Sequence, residues 1–269
     1  MIQLGVSISH AAVSLAQAGR LHADYIVWYG QLGTKNLDQV VGHKPVLLHD
    51  LSDQFWLNYA DPFDPATMTT ARTILDLTHT PWLSTGIGAS AEPQAHRHGP
   101  YREADDDQLQ SREVVSQNIV KHGKRLQEWA GIPLLLENFN YHPTNAYEYI
   151  CEPALFTELI EEIGCGMLLD LGHARISACN MPEWRGNTEG YLSAFPLHKV
   201  REIHFNRPGW MRGERVDLHQ PVCRDDLDVL AWVLERAPAE AVTLEIEDTD
   251  EETLIKQIAM MQDFLAARV

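Results

Sequence analysis

Eight short apolar runs recur along the chain, and most are followed by a segment with a helical pattern. The runs are IQLGVSI (2–8), YIVWYG (25–30), KPVLLHD (44–50), TPWLSTGIG (80–88), IPLLLENF (132–139), CGMLLDLG (165–172), VREIHFN (200–206) and AVTLEIED (241–248). Most of them are nearly continuous rather than alternating, which is typical of strands buried on both faces of a parallel sheet. This repetition constrains the fold more than any single motif does.

Four of the intervening segments have clear helix signals. The segments 111–131 and 152–164 end at a glycine, Gly131 or Gly164, and the segment 152–164 has Pro153 in its first turn. The segment 224–237 opens with acidic residues, which suit a helix N-terminus. The crossover near residues 37–41 is short and predicts barely one turn. The four predicted helices lie within 111–131, 152–164, 224–237 and 250–269.

Eight strands alternating with helices over 269 residues predict an α/β fold, the (β/α)8 TIM barrel. A doubly wound open sheet is the alternative, but no GxGxxG motif follows the first strand, which weakens its dinucleotide-binding form. No repeat, low-complexity tract or linker divides the sequence, so we expect residues 1–269 to form a single TIM-barrel domain. The polar stretch 89–108 predicts a loop after the fourth strand, either a catalytic lid or a surface loop.

The composition disfavours several classes of partner. Lys and Arg number 21 against 38 Asp and Glu, and the formal net charge of −17 repels phosphate backbones, which argues against nucleic acid. No stretch reaches the roughly 18 apolar residues of a membrane span, and the N-terminal segment lacks the basic region of a signal peptide. The four cysteines show no CxxC spacing, as expected of reduced thiols. We therefore expect a cytoplasmic protein.

Residues of metal-ligand type stand at or just after the carboxyl ends of the predicted strands, where TIM barrels place their active sites. Carboxylates and imidazoles are ligands for iron, manganese and zinc, and clustered carboxylates without a cation would repel one another. Each residue alone has a structural explanation, such as a hydrogen-bonded core histidine, but their joint position on one rim favours a metal site. The set is His49, Glu137, Asp170, His173, His204, Asp217, His219 and Glu245.

Three further residues on or near this rim are predicted to bind substrate. Asn138 directly follows Glu137, and Arg175 and Arg207 could hold a substrate carboxylate or phosphate. The structural alternative for the two arginines is a surface charge or a partner for Asp or Glu.

The order of the rim residues resembles that of the xylose-isomerase-like TIM barrels, which include endonuclease IV and the multinuclear non-haem iron-dependent oxidative enzymes. The stretches PVLLHDLS, LLLENFNYHP, FTELIEEIGCGMLLDLGHARISACN, YLSAFPLHKVREIHF and VDLHQPV are most similar to the iron family, whose members act beside ribosomally made peptides and oxidatively modify cysteine or other residues. The resemblance covers about residues 45–248. It implies that the ligands are His49, Glu137, Asp170, His204, Asp217, His219 and Glu245.

The sequence departs from this family at two points. The family's fourth strand usually ends in a Glu/Asp-His pair whose histidine is a ligand, whereas this chain has Ser84, Thr85 and Gly86 there. His96 or His98, in the following loop, could reach in instead. His173 stands where the family usually has asparagine, as in endonuclease IV and sugar isomerases. We therefore expect one or two divalent ions, with iron as the first choice and manganese or zinc as alternatives.

The resemblance implies a non-haem iron oxidative enzyme that acts on a peptide or small molecule. For this chain we predict Glu137, His173 and Glu245 as the catalytic residues. One alternative is a sugar isomerase or epimerase, in which a single ion polarises a carbonyl and a carboxylate shuttles a proton. Another is an endonuclease IV-like phosphodiesterase, which the net charge disfavours. The last is a non-catalytic metal-binding barrel.

Overall fold

The computed structural model describes residues 1–52, 55–91, 108–247 and 249–268. Eight parallel strands form a closed barrel in which neighbours in space follow the order of the chain and the last strand pairs with the first. The TIM-barrel prediction is confirmed, and each predicted run contains one barrel strand. The strands are β1 (Gln3–Ser7), β2 (Tyr25–Tyr29), β3 (Val46–His49), β4 (Leu83–Gly86), β5 (Leu134–Glu137), β6 (Gly166–Asp170), β7 (Val200–Phe205) and β10 (Ala241–Leu244).

Helices follow the strands and cover the outside of the barrel. All four predicted helices form, and each begins and ends inside its predicted segment; the short crossover contains the single turn of α2. No helix of the described residues is both long and apolar enough to cross a membrane. The helices are α1 (His10–Gln17), α2 (Asp38–Val41), α3 (Pro65–Thr78), α4 (Arg112–Ala130), α5 (Pro153–Ile163), α6 (Leu171–Asn180), α7 (Thr188–Ser193), α8 (Leu227–Leu234) and α9 (Glu251–Ala266).

The barrel interior changes from apolar to polar toward the carboxyl ends of the strands. Side chains along a strand point alternately into and out of the barrel. The residue two positions after an inward-facing apolar residue therefore also faces inward. Leu47 is thus followed by His49, and Leu135 by Glu137. The apolar floor consists of Tyr25, Val27, Leu47, Trp82, Leu135, Leu168 and Ala241. On β3, β5 and β6 the alternation therefore places His49, Glu137 and Asp170 directly above this floor. On β7 and β10 the polar residues Glu202 and Thr243, which are hydrogen-bonded to each other, lie between the floor and the strand-end residues His204 and Glu245.

A two-stranded antiparallel sheet lies between β7 and α8, where the sequence predicts only a loop. It consists of β8 (Arg207–Met211) and β9 (Glu214–Gln220). Arg212 and Gly213 connect the strands, and their φ angles of 53° and 89° are those of a tight two-residue hairpin turn. The hairpin determines where Asp217 and His219 lie, because both are on β9.

Candidate metal centre

The structure brings all eight predicted ligand-type residues together at the carboxyl-terminal mouth of the barrel. Five stand at strand ends, and we call them the inner donors. Three lie outside the barrel strands, His173 in the first turn of α6 and Asp217 and His219 on β9, and we call them the outer donors. The inner donors are His49, Glu137, Asp170, His204 and Glu245.

Glu137 lies at the centre of the inner donors. Its Oε2 is 3.5 Å from His49 Nε2, and its Oε1 is 3.8 Å from His204 Nδ1. His204 Nδ1 is also 3.4 Å from Glu245 Oε2. All four side chains are at least nine-tenths buried, and His204 is fully buried. The inner donors are thus shielded from solvent and held at positions fixed by the barrel.

Asp170 connects the inner and outer donors. Its Oδ1 caps α6 by accepting a hydrogen bond from the His173 backbone N–H at 2.6 Å. The Asn138 side-chain amide bonds the Asp170 backbone in both directions, at 3.0 and 2.8 Å. Asn138 therefore positions Asp170, and its amide is committed to this contact, whereas the sequence predicts that it binds substrate.

The outer donors converge on Asp217. Asp217 Oδ2 lies 3.2 Å from His173 Nε2 and 2.8 Å from His219 Nε2. His219 has a left-handed backbone with φ of 43°, and its Nδ1 lies 2.9 Å from Glu247 Oε1. His219 Nε2 is also 3.7 Å from Glu245 Oε2, which joins the outer donors to the inner ones.

Several buried polar atoms of this cluster have no hydrogen-bond partner among the described residues: Asp170 Oδ2, both ring nitrogens of His204, Asp217 Oδ1 and Glu245 Oε2. A buried polar atom without a partner is costly, and a cation bound among Asp170, His204 and Glu245 would compensate that cost for the unpartnered atoms of these three residues. Ligand atoms lie within 4.8 Å of one another in three overlapping sets, which are His49–Glu137–His204, Glu137–Asp170–His173 and Asp170–His204–Glu245. The donors present fit divalent ions of the iron, manganese or zinc type.

The pKa values show how the cluster balances its charge through protons. Burial lowers the pKa of His49, but Asp50 and Glu137 outweigh it and raise the value to about 9. Burial and the nearby carboxylates raise the pKa of Asp170 to about 8. The pKa of His219 rises to about 12, because Glu245 and Asp217 outweigh its burial. A divalent ion would replace these protons, so metal binding releases protons from this cluster.

A further buried carboxylate, which the sequence analysis did not identify, lies beneath the inner donors. Glu202 on β7 is fully buried, and its Oε1 is 3.3 Å from His204 Nε2. Trp82 Nε1 donates to Glu202 Oε2 at 2.7 Å, and Thr243 Oγ1 donates to Oε1 at 3.0 Å. With Nε2 directed at Glu202, His204 presents Nδ1 to the mouth. The signal was available, because the two-residue spacing of Glu202 and His204 places both side chains on the same face of β7.

Arg175 and Arg207 form ion pairs with Asp226 rather than with the donors. Arg175 Nη2 is 2.7 Å from Asp226 Oδ1, and Arg207 Nε is 4.0 Å from Asp226 Oδ2. Their role as substrate residues stays a prediction. His96 and His98 lie outside the described residues.

A cavity of about 680 Å³ adjoins the centre on the side of β1 and β2. Tyr29, Asp50, His219 and Glu245 line it where it meets the donors. The rest of its lining is mixed, with the apolar side chains of Ile8, Val13, Trp28 and Leu32 beside the polar side chains of Gln31, Lys35, Asn36 and Gln39. The donors are therefore reachable from a space large enough for part of a substrate.

Comparisons with known proteins identify the family of this chain and agree with its barrel fold. A family model for the RiPP precursor modification enzymes MbnB/TglH/ChrH matches residues 20–266. A UPF0276 protein of Rhizobium meliloti (strain 1021) is 36% identical over 92 residues, which are 34% of this chain and only 29% of that protein. The structure of a D-tagatose 3-epimerase-like protein has a TM-score of 0.69 at 14% identity, covering 99% of this chain and 98% of that one. A xylose isomerase-like TIM barrel protein from Mycobacterium smegmatis in complex with magnesium has a TM-score of 0.60 at 13% identity, covering 100% and 97%. At these identities the structural matches establish the fold, which is a xylose isomerase-like barrel.

Proposed function

The chain belongs to the MbnB/TglH/ChrH family of RiPP precursor modification enzymes, and from this premise we propose that it is a metal-dependent enzyme that oxidatively modifies a ribosomally made precursor peptide. The observation that carries the proposal is the set of buried, partnerless ligand atoms on Asp170, His204 and Glu245. The ligand atoms of these three residues lie within 4.8 Å of one another, and a cation would compensate the cost of burying them without hydrogen bonds.

We assign two divalent ions to the centre, with iron as the first choice. Asp170, His204 and Glu245 would hold the inner ion, with Glu137 beside them. His173, Asp217 and His219, whose nitrogens meet at Asp217 Oδ2, would hold the outer ion. Bound iron supplies one-electron redox capacity, which none of these side chains has.

The surrounding residues hold the donors in place. Glu202 Oε1 lies 3.3 Å from His204 Nε2 and leaves Nδ1 free for an ion, in the way that carboxylates orient metal-bound histidines. The Tyr29 hydroxyl donates to Glu245 Oε1, and burial keeps the pKa of Tyr29 well above its usual value, so the hydroxyl stays protonated. Tyr29 and Glu245 both line the cavity and can fix a polar group of the substrate next to the donors.

The cavity is the proposed binding site for the peptide segment next to the modified residue. The apolar lining residues Ile8, Val13, Trp28 and Leu32 suit a hydrophobic side chain of the peptide. Glu245 lies between this cavity and the ligand atoms, and the catalytic roles of Glu137, His173 and Glu245 stay predictions. The organisation of residues 1–269 as one domain and a cytoplasmic location also stay predictions.

The test combines metal analysis with peptide mass spectrometry. Protein purified without oxygen should contain iron by elemental analysis, and it should change the mass of a short precursor peptide encoded beside its gene when oxygen is admitted. Chelator-treated protein is the control and should leave the peptide unchanged. A preparation that binds no divalent metal, or one that isomerises D-tagatose and leaves peptides unmodified, would overturn the proposal.

A further inference from the structure

Asp50 is a carboxylate at the mouth that no sequence motif singles out. It directly follows His49 and has a left-handed backbone with φ of 54°, which aspartate tolerates better than most residues other than glycine. Its Oδ2 lies 3.5 Å from His49 Nε2. The same nitrogen lies 3.5 Å from Glu137 Oε2, so two carboxylates face one imidazole nitrogen.

The other oxygen of Asp50 is tied to the end of β4. Thr85 Oγ1 donates to Asp50 Oδ1 at 2.8 Å, and the Gly86 backbone N–H donates to it at 2.9 Å. These two bonds fix the carboxylate and leave Oδ2 directed toward His49. The side chain is therefore oriented before any ligand binds, which lowers the cost of binding.

The end of β4 contributes no side chain of metal-ligand type between β3 and β5. Ser84 points inward, but its hydroxyl lies 2.9 Å from His49 Nδ1. This contact also fixes the His49 ring so that Nε2 faces Glu137 and Asp50. The gap on this side of the mouth is therefore filled from β3, by Asp50, rather than from β4.

We propose that His49 Nε2, Glu137 Oε2 and Asp50 Oδ2 bind a divalent cation, with Asp50 as the donor that β4 lacks. This third position rests on the proposed function only in requiring that the mouth binds metal. A second observation supports it, because His49 and Glu137 belong to one of the three sets of ligand atoms that lie within 4.8 Å of one another. Glu137 Oε1 faces His204, at 3.8 Å, and leaves Oε2 for this position. Asp50 also lines the cavity, so the remaining coordination positions are open to water or substrate.

Two substitutions at Asp50 separate a ligand from a structural residue. In Asp50→Asn the amide must offer its oxygen to the Gly86 N–H, since two donors cannot pair, and this directs the NH2 group toward His49, where it cannot coordinate. Asp50→Gly removes the carboxylate at a left-handed position that glycine prefers, so the backbone is not strained by the change. Thr85→Val is the matched control, because it loses one tether and keeps the carboxylate. Asp64→Asn applies the same charge change at the distant N-cap of α3.

Metal-free protein is titrated with Mn²⁺ alone, and the number of Mn²⁺ ions bound per chain is measured by calorimetry and by elemental analysis. Asp50→Asn and Asp50→Gly should each bind one ion fewer than the unchanged protein, and metal-free Asp50→Gly should melt no lower than the unchanged metal-free protein. Thr85→Val and Asp64→Asn should bind the full number. Full Mn²⁺ binding by both Asp50 variants, or an equal loss in Thr85→Val, would overturn the assignment of Asp50. An unchanged protein that binds no Mn²⁺ would instead overturn the proposed function as well.

Discussion

The inner and outer donors reach the same mouth by different routes. The inner donors stand at strand ends, where the hydrogen-bonded register of the closed barrel fixes their backbone positions. The outer donors depend on α6, which Asp170 caps at the end of β6, and on the β8–β9 hairpin, which forms a two-stranded sheet separate from the barrel. The inner side chains are also more buried, with His204 at 0% exposure against 19% for His219.

The difference indicates that the two groups should bind metal with different strength. A rigid, dry site keeps its donors in place and strengthens electrostatic attraction, whereas a partly solvated site loses some of both. We therefore expect the inner group to bind metal more tightly and to stabilise the fold more. The predictions below test this contrast, beginning with the largest effect.

Glu137→Ala should have the largest effect, because Glu137 belongs to two of the three sets of ligand atoms. We expect at least half of the bound metal to be lost and the melting temperature to fall toward that of chelator-treated protein, since metal binding and folding are linked. Elemental analysis and calorimetry check both effects. Glu240→Ala is the control, because Glu240 is an exposed glutamate paired with Arg201. Unchanged metal content in Glu137→Ala would contradict the centre itself.

His173→Asn should remove only the outer ion. The substitution takes away the Nε2 that faces Asp217, while the contacts among His49, Glu137, His204 and Glu245 remain. Metal content should fall by one ion per chain and the melting temperature should fall less than in Glu137→Ala. His198→Asn, at an exposed histidine, is the control. A loss as large as that in Glu137→Ala would mean that the two groups are not separable.

The same contrast explains what could be predicted from sequence. The inner donors follow continuous apolar runs, so their strand-end positions are visible in the periodicity, as with His49 after VLL and Glu137 after LLL. The positions of Asp217 and His219 were found only as a short motif, and their strand was read as a loop. Two paired strands with mixed polarity give no long apolar run, and pairing between them is not local.

Other features could not be read because they depend on distant partners. The pairing of Arg175 and Arg207 with Asp226 is visible only in the structure, because Asp226 lies beyond the hairpin along the chain. In the sequence, the acidic character of Asp226 also suits a helix start. The role of Asp50 depends on its left-handed backbone and on Thr85 and Gly86, which no linear spacing reveals. Sequence therefore shows which residue types gather at the mouth, while the contacts that orient them emerge only from the packed structure.

Glu202→Gln tests the support beneath the inner group. Trp82 Nε1 can only donate, so the new amide must offer it the oxygen and direct its NH2 group toward His204 Nε2. His204 would then have to accept at Nε2 and carry its proton on Nδ1, the atom that faces the mouth. We expect a loss of about 10- to 100-fold in metal affinity, the range typical of residues that orient metal ligands. Competition with a chelator of known affinity measures the metal affinity. An unchanged affinity would show that Glu202 does not determine which nitrogen of His204 carries the proton.

Glu247→Gln is the matching change at the outer group, and its effect should be the smallest. Glu247 Oε1 lies 2.9 Å from His219 Nδ1, a shorter distance than that between Glu202 and His204, but its side chain is 69% exposed. Water screens such a pair, and exposed ion pairs contribute roughly 0 to 1 kcal/mol, which corresponds to at most about a fivefold change in affinity. The same chelator competition applies. If Glu247→Gln weakened metal binding as much as Glu202→Gln, burial would not be what distinguishes the inner donors from the outer ones, and the difference would have to lie in the donor atoms themselves.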